Sequence, residues 1–175
     1  MTPRTRTDWI ILHCSATEDG PADNWEGVRR YHTTPEDQGG PAGGPWDDVG
    51  YHFGIELVGD LYVVRKGRPV EMVGSHCKAA GRNVDSIGVC VVGDFDETAP
   101  LFRLQAITAG FLASLCLVYG LPPERVKGHR EFESGKTCPG ASWNLEITRE
   151  LVRMKLHRSP EIEEPHLRAL AYAGL

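Results

Sequence analysis

The sequence predicts an α/β fold, a single domain in which one mixed β-sheet is flanked by helices. Short apolar runs typical of strands alternate unevenly with segments whose apolar residues recur at helical spacing. The 175 residues are enough for one ordinary domain and too few for two. No repeat and no linker divides the chain. We therefore expect one domain over residues 1–158 and a tail over residues 159–175 that contains a short helix around residues 167–172.

Apolar and β-branched runs predict the strands of this sheet. They cover residues 8–13, 50–57, 61–65, 86–92 and 126–127. The second and third runs form a hairpin that turns at Gly59 and Asp60. The first and fourth runs are apolar almost throughout, which is typical of strands buried on both faces.

Three segments carry apolar residues at helical spacing. The first follows Asp23, with Glu26 three residues later in a capping-box pattern. The second ends at Gly120 and the third before Pro160. We expect the following residues to face the core: Trp25, Val28 and His32; Leu101, Leu104, Phe111, Leu115 and Val118; Trp143, Ile147, Leu151 and Met154. Residues 33–48 are rich in glycine and proline and predict a long flexible loop.

Composition and charge exclude several classes of function. The net charge is −5, and residues 35–49 hold four acidic residues and no lysine or arginine, which argues against nucleic acid or an anionic membrane as the partner. No apolar run approaches the roughly 18 residues of a membrane span. The apolar run after Arg6 ends at His13 and is too short for a signal peptide, so we expect a cytoplasmic protein. The odd count of five cysteines favours reduced thiols.

Three metal-competent residues stand at the ends of predicted elements. His13 ends a buried strand, His129 follows a glycine at another strand end, and Cys138 precedes Pro139 in a loop. Two imidazoles and a thiolate, with a fourth position left for water, suffice for a catalytic zinc site. The alternative from spacing alone is a strand-end histidine, a loop histidine and a free thiol.

Six segments around these residues occur in a distinctive order. They are Ile11-Leu-His13-Cys-Ser-Ala-Thr17, Trp46-Asp-Asp-Val-Gly50-Tyr-His-Phe53, Val73-Gly-Ser-His76, Asn83-Val-Asp-Ser-Ile-Gly-Val-Cys90-Val-Val-Gly93, Gly128-His129-Arg-Glu131 and Lys136-Thr-Cys138-Pro-Gly140. Together they resemble the zinc-dependent N-acetylmuramoyl-L-alanine amidases, which include phage lysozyme-type amidases and peptidoglycan-recognition proteins. The resemblance runs from Trp9 to near His157 and is strongest to the phage branch.

The resemblance implies one zinc ion per chain, with His13, His129 and Cys138 as its ligands. Tyr51 matches the tyrosine beside the metal, and Lys136 matches the lysine two positions before the cysteine. Both are expected to stabilise the oxyanion of the transition state.

The resemblance also implies a substrate groove on one face of the sheet. His76 and Asn83 lie in segments that line this groove in the family. The proton shuttle is left open between Tyr51 and the water on the metal. Glu71 and Glu131 are further carboxylates in plausible segments, although the place of Glu131 directly after His129-Arg130 favours a structural role.

The function implied is hydrolysis of the amide between N-acetylmuramic acid and L-alanine in peptidoglycan. We expect a monomeric phage or prophage endolysin that reaches the cell wall through a membrane pore. One alternative is a cytosolic amidase of muropeptide recycling. A binding-only module is disfavoured because such relatives typically lose the cysteine ligand. A thiol peptidase that uses Cys138 and His129 without metal is a further alternative.

Overall fold

The structure, a computed structural model, describes residues 1–20 and 23–157 and contains the predicted mixed sheet. The strands are β1 (Trp9–Cys14), β2 (Phe53–Val58), β3 (Leu61–Lys66), β4 (Ser86–Val91) and β5 (Val126–Gly128). The helices are α1 (Trp25–Thr33), α2 (Phe102–Tyr119) and α3 (Leu145–His157). The α/β fold class is thereby confirmed. The predicted tail at residues 159–175 lies outside the described residues.

The sheet has the strand order β3-β2-β4-β1-β5. Neighbouring strands are parallel except β3, which forms an antiparallel hairpin with β2. All six residues of β4 are buried, as are five of the six in β1. Because β1, β4 and β5 are parallel, their carboxyl ends meet at one edge of the sheet, where ligands of α/β proteins usually bind.

Side-chain alternation along β4 divides the core into two layers. Ile87, Val89 and Val91 belong to the large apolar cluster formed with α2 and α3. Cys90 lies in a smaller cluster with Trp25 of α1. Successive side chains of a strand point to opposite faces. Helices α2 and α3 therefore cover one face of the sheet, and α1 covers the other.

Helix α2 corrects the expectation about apolar runs. It is 18 residues long with a mean hydropathy of 1.5, so it meets the length and composition of a membrane span. Eight of its residues are nevertheless buried, and it packs along α3. Its apolar content is accounted for by its place in the core.

The predicted core faces of α2 and α3 are partly wrong. Leu101 is 70% exposed, and Ile147 and Met154 are also exposed. Polar residues take part of the buried face instead: the Gln105 side-chain amide donates to the Asn144 carbonyl (2.8 Å) and to Thr148 Oγ1 (3.1 Å). Burying such groups is tolerated because they are hydrogen-bonded, and apolar periodicity cannot reveal them.

The start of α1 and the following loop also differ from expectation. The N-cap is Asn24 rather than Asp23, and its side chain accepts a hydrogen bond from the Gly27 N–H (3.0 Å). Residues 33–48 fold back on α1, since the Trp46 N–H donates to the His32 carbonyl (3.0 Å) and the two rings stack at 4.6 Å. A Cβ at Gly40 would lie 1.9 Å from the Thr34 carbonyl oxygen, so this approach requires glycine.

Two buried histidines that are not predicted metal ligands make stability depend on pH. Burial lowers the pKa of His32 to about 4, with a smaller contribution from Arg68. Burial also lowers the pKa of His52 to about 4, although the bond to the Met72 carbonyl opposes the shift. Both side chains are neutral in the folded protein at neutral pH.

We predict that the free energy of unfolding is fully retained above about pH 6.5 and falls as the pH drops from there to about 4. In that window the unfolded chain binds protons that the folded chain excludes, at about 1.4 kcal/mol per pH unit for each histidine. Urea unfolding across this range measures the slope. In His32→Asn, which keeps an acceptor for the Gly50 N–H, the slope should fall by about one proton. Exposed His157 provides the control, and an unchanged slope in His32→Asn would contradict the assignment.

Candidate metal centre

The pairing of β1 with β5 brings two predicted ligands together. Leu12 lies opposite Gly128 in this parallel pair, so His13 and His129 follow at the same level on neighbouring strands. Their ring centroids are 4.7 Å apart. His13 is almost fully buried, whereas the His129 side chain is 12% exposed. One side of the cluster is thus enclosed, and the other reaches the surface.

Arg130 fixes the loop that carries Cys138. Its backbone N–H donates to the Cys138 carbonyl (2.8 Å), and its guanidinium donates to the carbonyls of Thr137, Gly140 and Trp143. A planar guanidinium directs several donors at once. Arg130 therefore sets the shape of the loop that presents the thiol.

Asp96 anchors the same loop from the opposite side. Its carboxylate accepts from Thr137 Oγ1 (3.0 Å) and from the Ala141 N–H (2.9 Å). The Cys14 N–H donates to Cys138 Sγ (3.4 Å), so Cys14 contacts the predicted ligand. The side-chain hydrogen bond with the Cys14 thiol, and then burial, raise the pKa of the Cys138 thiol, while the backbone N–H of Cys14 opposes this shift. A bound metal would lower the same pKa.

The donor atoms of His13, His129 and Cys138 all lie within 4.8 Å of one another. His13 Nδ1 is 3.6 Å from Cys138 Sγ. A tetrahedral zinc with ordinary bonds of about 2.3 Å to sulfur and about 2.0 Å to nitrogen holds two such atoms about 3.5 Å apart. His129 Nε2 is a buried ring nitrogen that makes no hydrogen bond to any described residue. The donor set and its spacing therefore fit zinc.

His13 is held as a neutral imidazole. Burial, and then the neighbouring His76 and His129, lower its pKa well below 6.5. His13 Nε2 is 3.0 Å from His76 Nδ1, which leaves Nδ1 to face Cys138. A neutral ring with a free nitrogen is the form that binds a metal.

Glu133 is a neighbour of the cluster that the sequence reasoning missed. Its Oε1 is 3.0 Å from His129 Nε2, although the angle does not meet hydrogen-bond geometry. Cys77, His129 and Glu133 also form a group whose donor atoms lie within 4.8 Å of one another. The only sequence signal is that Glu133 stands four residues after His129, in a segment without regular helix.

Tyr51 lies beside the cluster at the end of an open cleft. Its ring centroid is 5.1 Å from that of His13. Burial, and then the nearby thiols of Cys90, Cys138 and Cys14, raise its pKa well above 10. The cleft has a volume of about 630 Å³ and is lined by α1 and by Thr34, Gln38 and Gly39 of the following loop. The hydroxyl therefore stays protonated and can act as a hydrogen-bond donor.

Lys136 is exposed in the same loop as Cys138. Its backbone N–H donates to the Glu133 carbonyl (3.3 Å). Within residues 1–20 and 23–157 its ammonium makes no hydrogen bond or ion pair, so the side chain is unconstrained by described neighbours.

His76 lies against His13, and Asn83 holds the backbone of His76; that the two residues line the groove stays a prediction. His76 is 7% exposed and contacts His13. The Asn83 side-chain oxygen accepts from the backbone N–H groups of His76 (2.8 Å) and Cys77 (2.7 Å). His76 therefore contacts a predicted ligand directly, whereas half-buried Asn83 acts on the backbone of His76.

Neither carboxylate considered as a proton shuttle faces the cluster. Glu71 lines a separate cavity with Arg68 and Tyr119. Glu131 accepts from the Gly128 N–H (2.8 Å) and pairs with Arg149 (3.0 Å), a structural role.

Comparison with known proteins identifies similar chains. The family described as N-acetylmuramoyl-L-alanine amidase matches residues 3–141. The chain is 42% identical to the endolysin of Enterobacteria phage K11 over 144 residues, which cover 79% of this chain and 84% of that protein. It is 45% identical to the endolysin of Enterobacteria phage T3 over 95 residues, 54% of each chain, and so spans about half the length of that relative.

The fold is shared with a solved amidase. The structure of N-acetylmuramoyl-L-alanine amidase LysC from Clostridium intestinale superposes with a TM-score of 0.63 at 21% identity, covering 87% of this chain and 93% of that one.

We predict that Arg130→Gln weakens zinc binding about 10–100-fold, the range for losing a residue that orients a metal ligand. The loop then loses the carbonyl contacts that hold Cys138 in place. Competition with a chromophoric chelator measures the affinity. Arg153→Gln, which removes an exposed ion pair on α3, is the matched control. Equal zinc affinity in the two variants would show that Arg130 does not position the cysteine.

Proposed function

The chain belongs to the N-acetylmuramoyl-L-alanine amidase family, and we propose that it hydrolyses the amide between N-acetylmuramic acid and L-alanine in peptidoglycan. The observation that carries the proposal is the cluster of His13, His129 and Cys138 at the carboxyl edge of the sheet, beside an open cleft. Substrates of α/β proteins bind at such edges. We propose one zinc ion per chain at this cluster.

Zinc, when bound, supplies Lewis-acid polarisation of the scissile carbonyl and activation of water near neutral pH. The chain's own residues prepare the site for this chemistry. His13 is neutral and buried, so it offers a lone pair rather than a proton. With two neutral imidazoles and one thiolate, the centre keeps a net positive charge, which favours a developing oxyanion.

Tyr51 acts in this proposal as a donor to the oxyanion. Its raised pKa keeps the hydroxyl protonated at neutral pH, so it can donate a hydrogen bond to the oxyanion. The Glu133 carboxylate lies 3.0 Å from His129 Nε2, outside hydrogen-bond geometry, and so adds negative charge beside this predicted ligand. In this proposal the exposed Lys136 supplies a cation to the developing oxyanion.

The likeness to phage endolysins supports a role in host-cell lysis. We propose a phage or prophage endolysin that is made in the host cytoplasm and acts on the wall as a monomer after passing a membrane pore.

Digestion of purified sacculi tests the reaction directly. The expected products carry new L-alanine amino termini and no new reducing sugar ends. New reducing ends would instead indicate a glycosidase and overturn the proposal. Cleavage of soluble muropeptides with intact sacculi left untouched would favour a recycling amidase, and activity that survives chelation would favour a thiol peptidase.

We predict that His13→Ala, His129→Ala and Cys138→Ala each lose bound zinc and amidase activity together. Metal analysis of the purified variants gives the occupancy. Zinc binding contributes to folding free energy, so the three variants should also unfold at lower temperature than the zinc-loaded parent. Full occupancy in any one of them removes that residue from the ligand set.

We predict that Lys136→Ala keeps its zinc and binds muropeptide nearly as before, while kcat falls about 10²–10³-fold, the scale for losing one oxyanion donor. The ammonium stabilises charge that exists only in the transition state. Lys136→Arg should rescue in part, since the planar guanidinium places its charge differently. Lys155→Ala, on the exposed side of α3, is the control, and a parental kcat in Lys136→Ala would contradict the role.

A further inference from the structure

A chain of polar contacts runs from His13 into the core, away from the proposed metal. His13 Nε2 is 3.0 Å from His76 Nδ1, and His76 Nε2 is 3.4 Å from Ser86 Oγ. The Ser86 hydroxyl donates in turn to the Arg82 carbonyl. His13, His76 and Ser86 are all buried, so water does not compete for these bonds.

The Arg82 carbonyl is the last acceptor in this series of contacts, and it fixes the direction of every hydrogen bond in the series. A carbonyl only accepts, so the Ser86 hydroxyl gives its proton to Arg82 and accepts at its lone pairs from His76 Nε2–H. His76 Nδ1 is then unprotonated and accepts from His13 Nε2–H. His13 Nδ1 is consequently the free lone pair, and it is the atom 3.6 Å from Cys138 Sγ.

The surroundings of His76 are shaped for this ring. A Cβ at Gly74 would lie 2.5 Å from His76 Cδ2, and one at Gly88 would lie 2.6 Å from the same atom. Real Cβ atoms do not approach so closely, so both positions need glycine while the ring is in place. Asn83 holds the backbone of His76. The ring is therefore fixed in position as well as in bonding.

We infer that His76 and Ser86 are positioning residues that hold His13 in the single tautomer able to bind the metal through Nδ1. The inference rests on the proposed zinc centre. Carboxylates and backbone carbonyls commonly play this part for metal-bound histidines. Here a neutral histidine does so, and its own orientation is set by a serine and a carbonyl.

Long-range ¹H–¹⁵N spectra of the full chain as purified test the tautomers without any substitution. The expected result is that His76 carries its proton on Nε2 and His13 carries its proton on Nε2. A His76 proton on Nδ1, or a His13 proton on Nδ1, overturns the inference. This measurement does not depend on amidase activity.

Variants test the consequence for zinc. Ser86→Ala removes the hydroxyl that accepts from His76 Nε2–H, so the His76 proton can move to Nδ1. Zinc affinity should then fall about tenfold, the lower end of the range for losing a partner of a metal ligand. Ser114→Ala is the matched control, since that hydroxyl also donates to a backbone carbonyl but lies on the exposed side of α2. Parental affinity in Ser86→Ala overturns the inference.

The pair His76→Asn and His76→Leu separates bonding from packing. The two replacements are similar in size, but the asparagine oxygen takes the place of Nδ1 and can accept from His13. His76→Asn should bind zinc about tenfold more tightly than His76→Leu. Equal affinities would reduce His76 to a packing residue. Normal zinc binding and tautomers without sacculus cleavage would refute the proposed function and leave this inference standing.

Discussion

The parallel register of β1 and β5 is the constraint on which the candidate centre depends. Leu12 opposite Gly128 fixes His13 and His129 as neighbours. On its other side β1 pairs with β4, where Ile11 lies opposite Gly88. The missing side chain at Gly88 makes room for the His76 ring. A slip of one residue in either pair would turn His13 to the opposite face of the sheet and separate it from both partners.

Burial gives this edge of the sheet its chemical character. A charged imidazole is costly to bury, so the low pKa values of His13 and His76 follow mainly from desolvation. The same cause raises the pKa of Tyr51. The centre thus offers neutral nitrogens as ligands and a protonated hydroxyl as donor at the same pH. A single physical effect prepares both of these components, whereas it disfavours the thiolate form of Cys138, the third predicted ligand.

The sequence predicted those features that depend on local pattern. The five strands follow from apolar runs, and His13, His129 and Cys138 stand out because polar residues end such runs. Features that depend on tertiary contact could not be read in this way. Gln105 and Thr148 are buried because they bond to each other. His76 fits inside because Gly74 and Gly88 leave space for its ring, and Arg130 is distinguished only by the loop carbonyls around it.

The three predicted ligands differ in how firmly the fold holds them. His13 sits in a central strand and is locked by His76, whereas Cys138 depends on a loop shaped by Arg130. Yet His13 Nδ1 and Cys138 Sγ are already 3.6 Å apart, close to the spacing of two ligand atoms on a tetrahedral zinc. Any remaining adjustment therefore falls on His129, which begins a short turn after β5 and whose Nε2 lacks a well-aligned partner. The least constrained ligand is the one beside Glu133. The sheet holds the first ligand and arginine contacts hold the second, whereas the third has no well-aligned partner among the described residues.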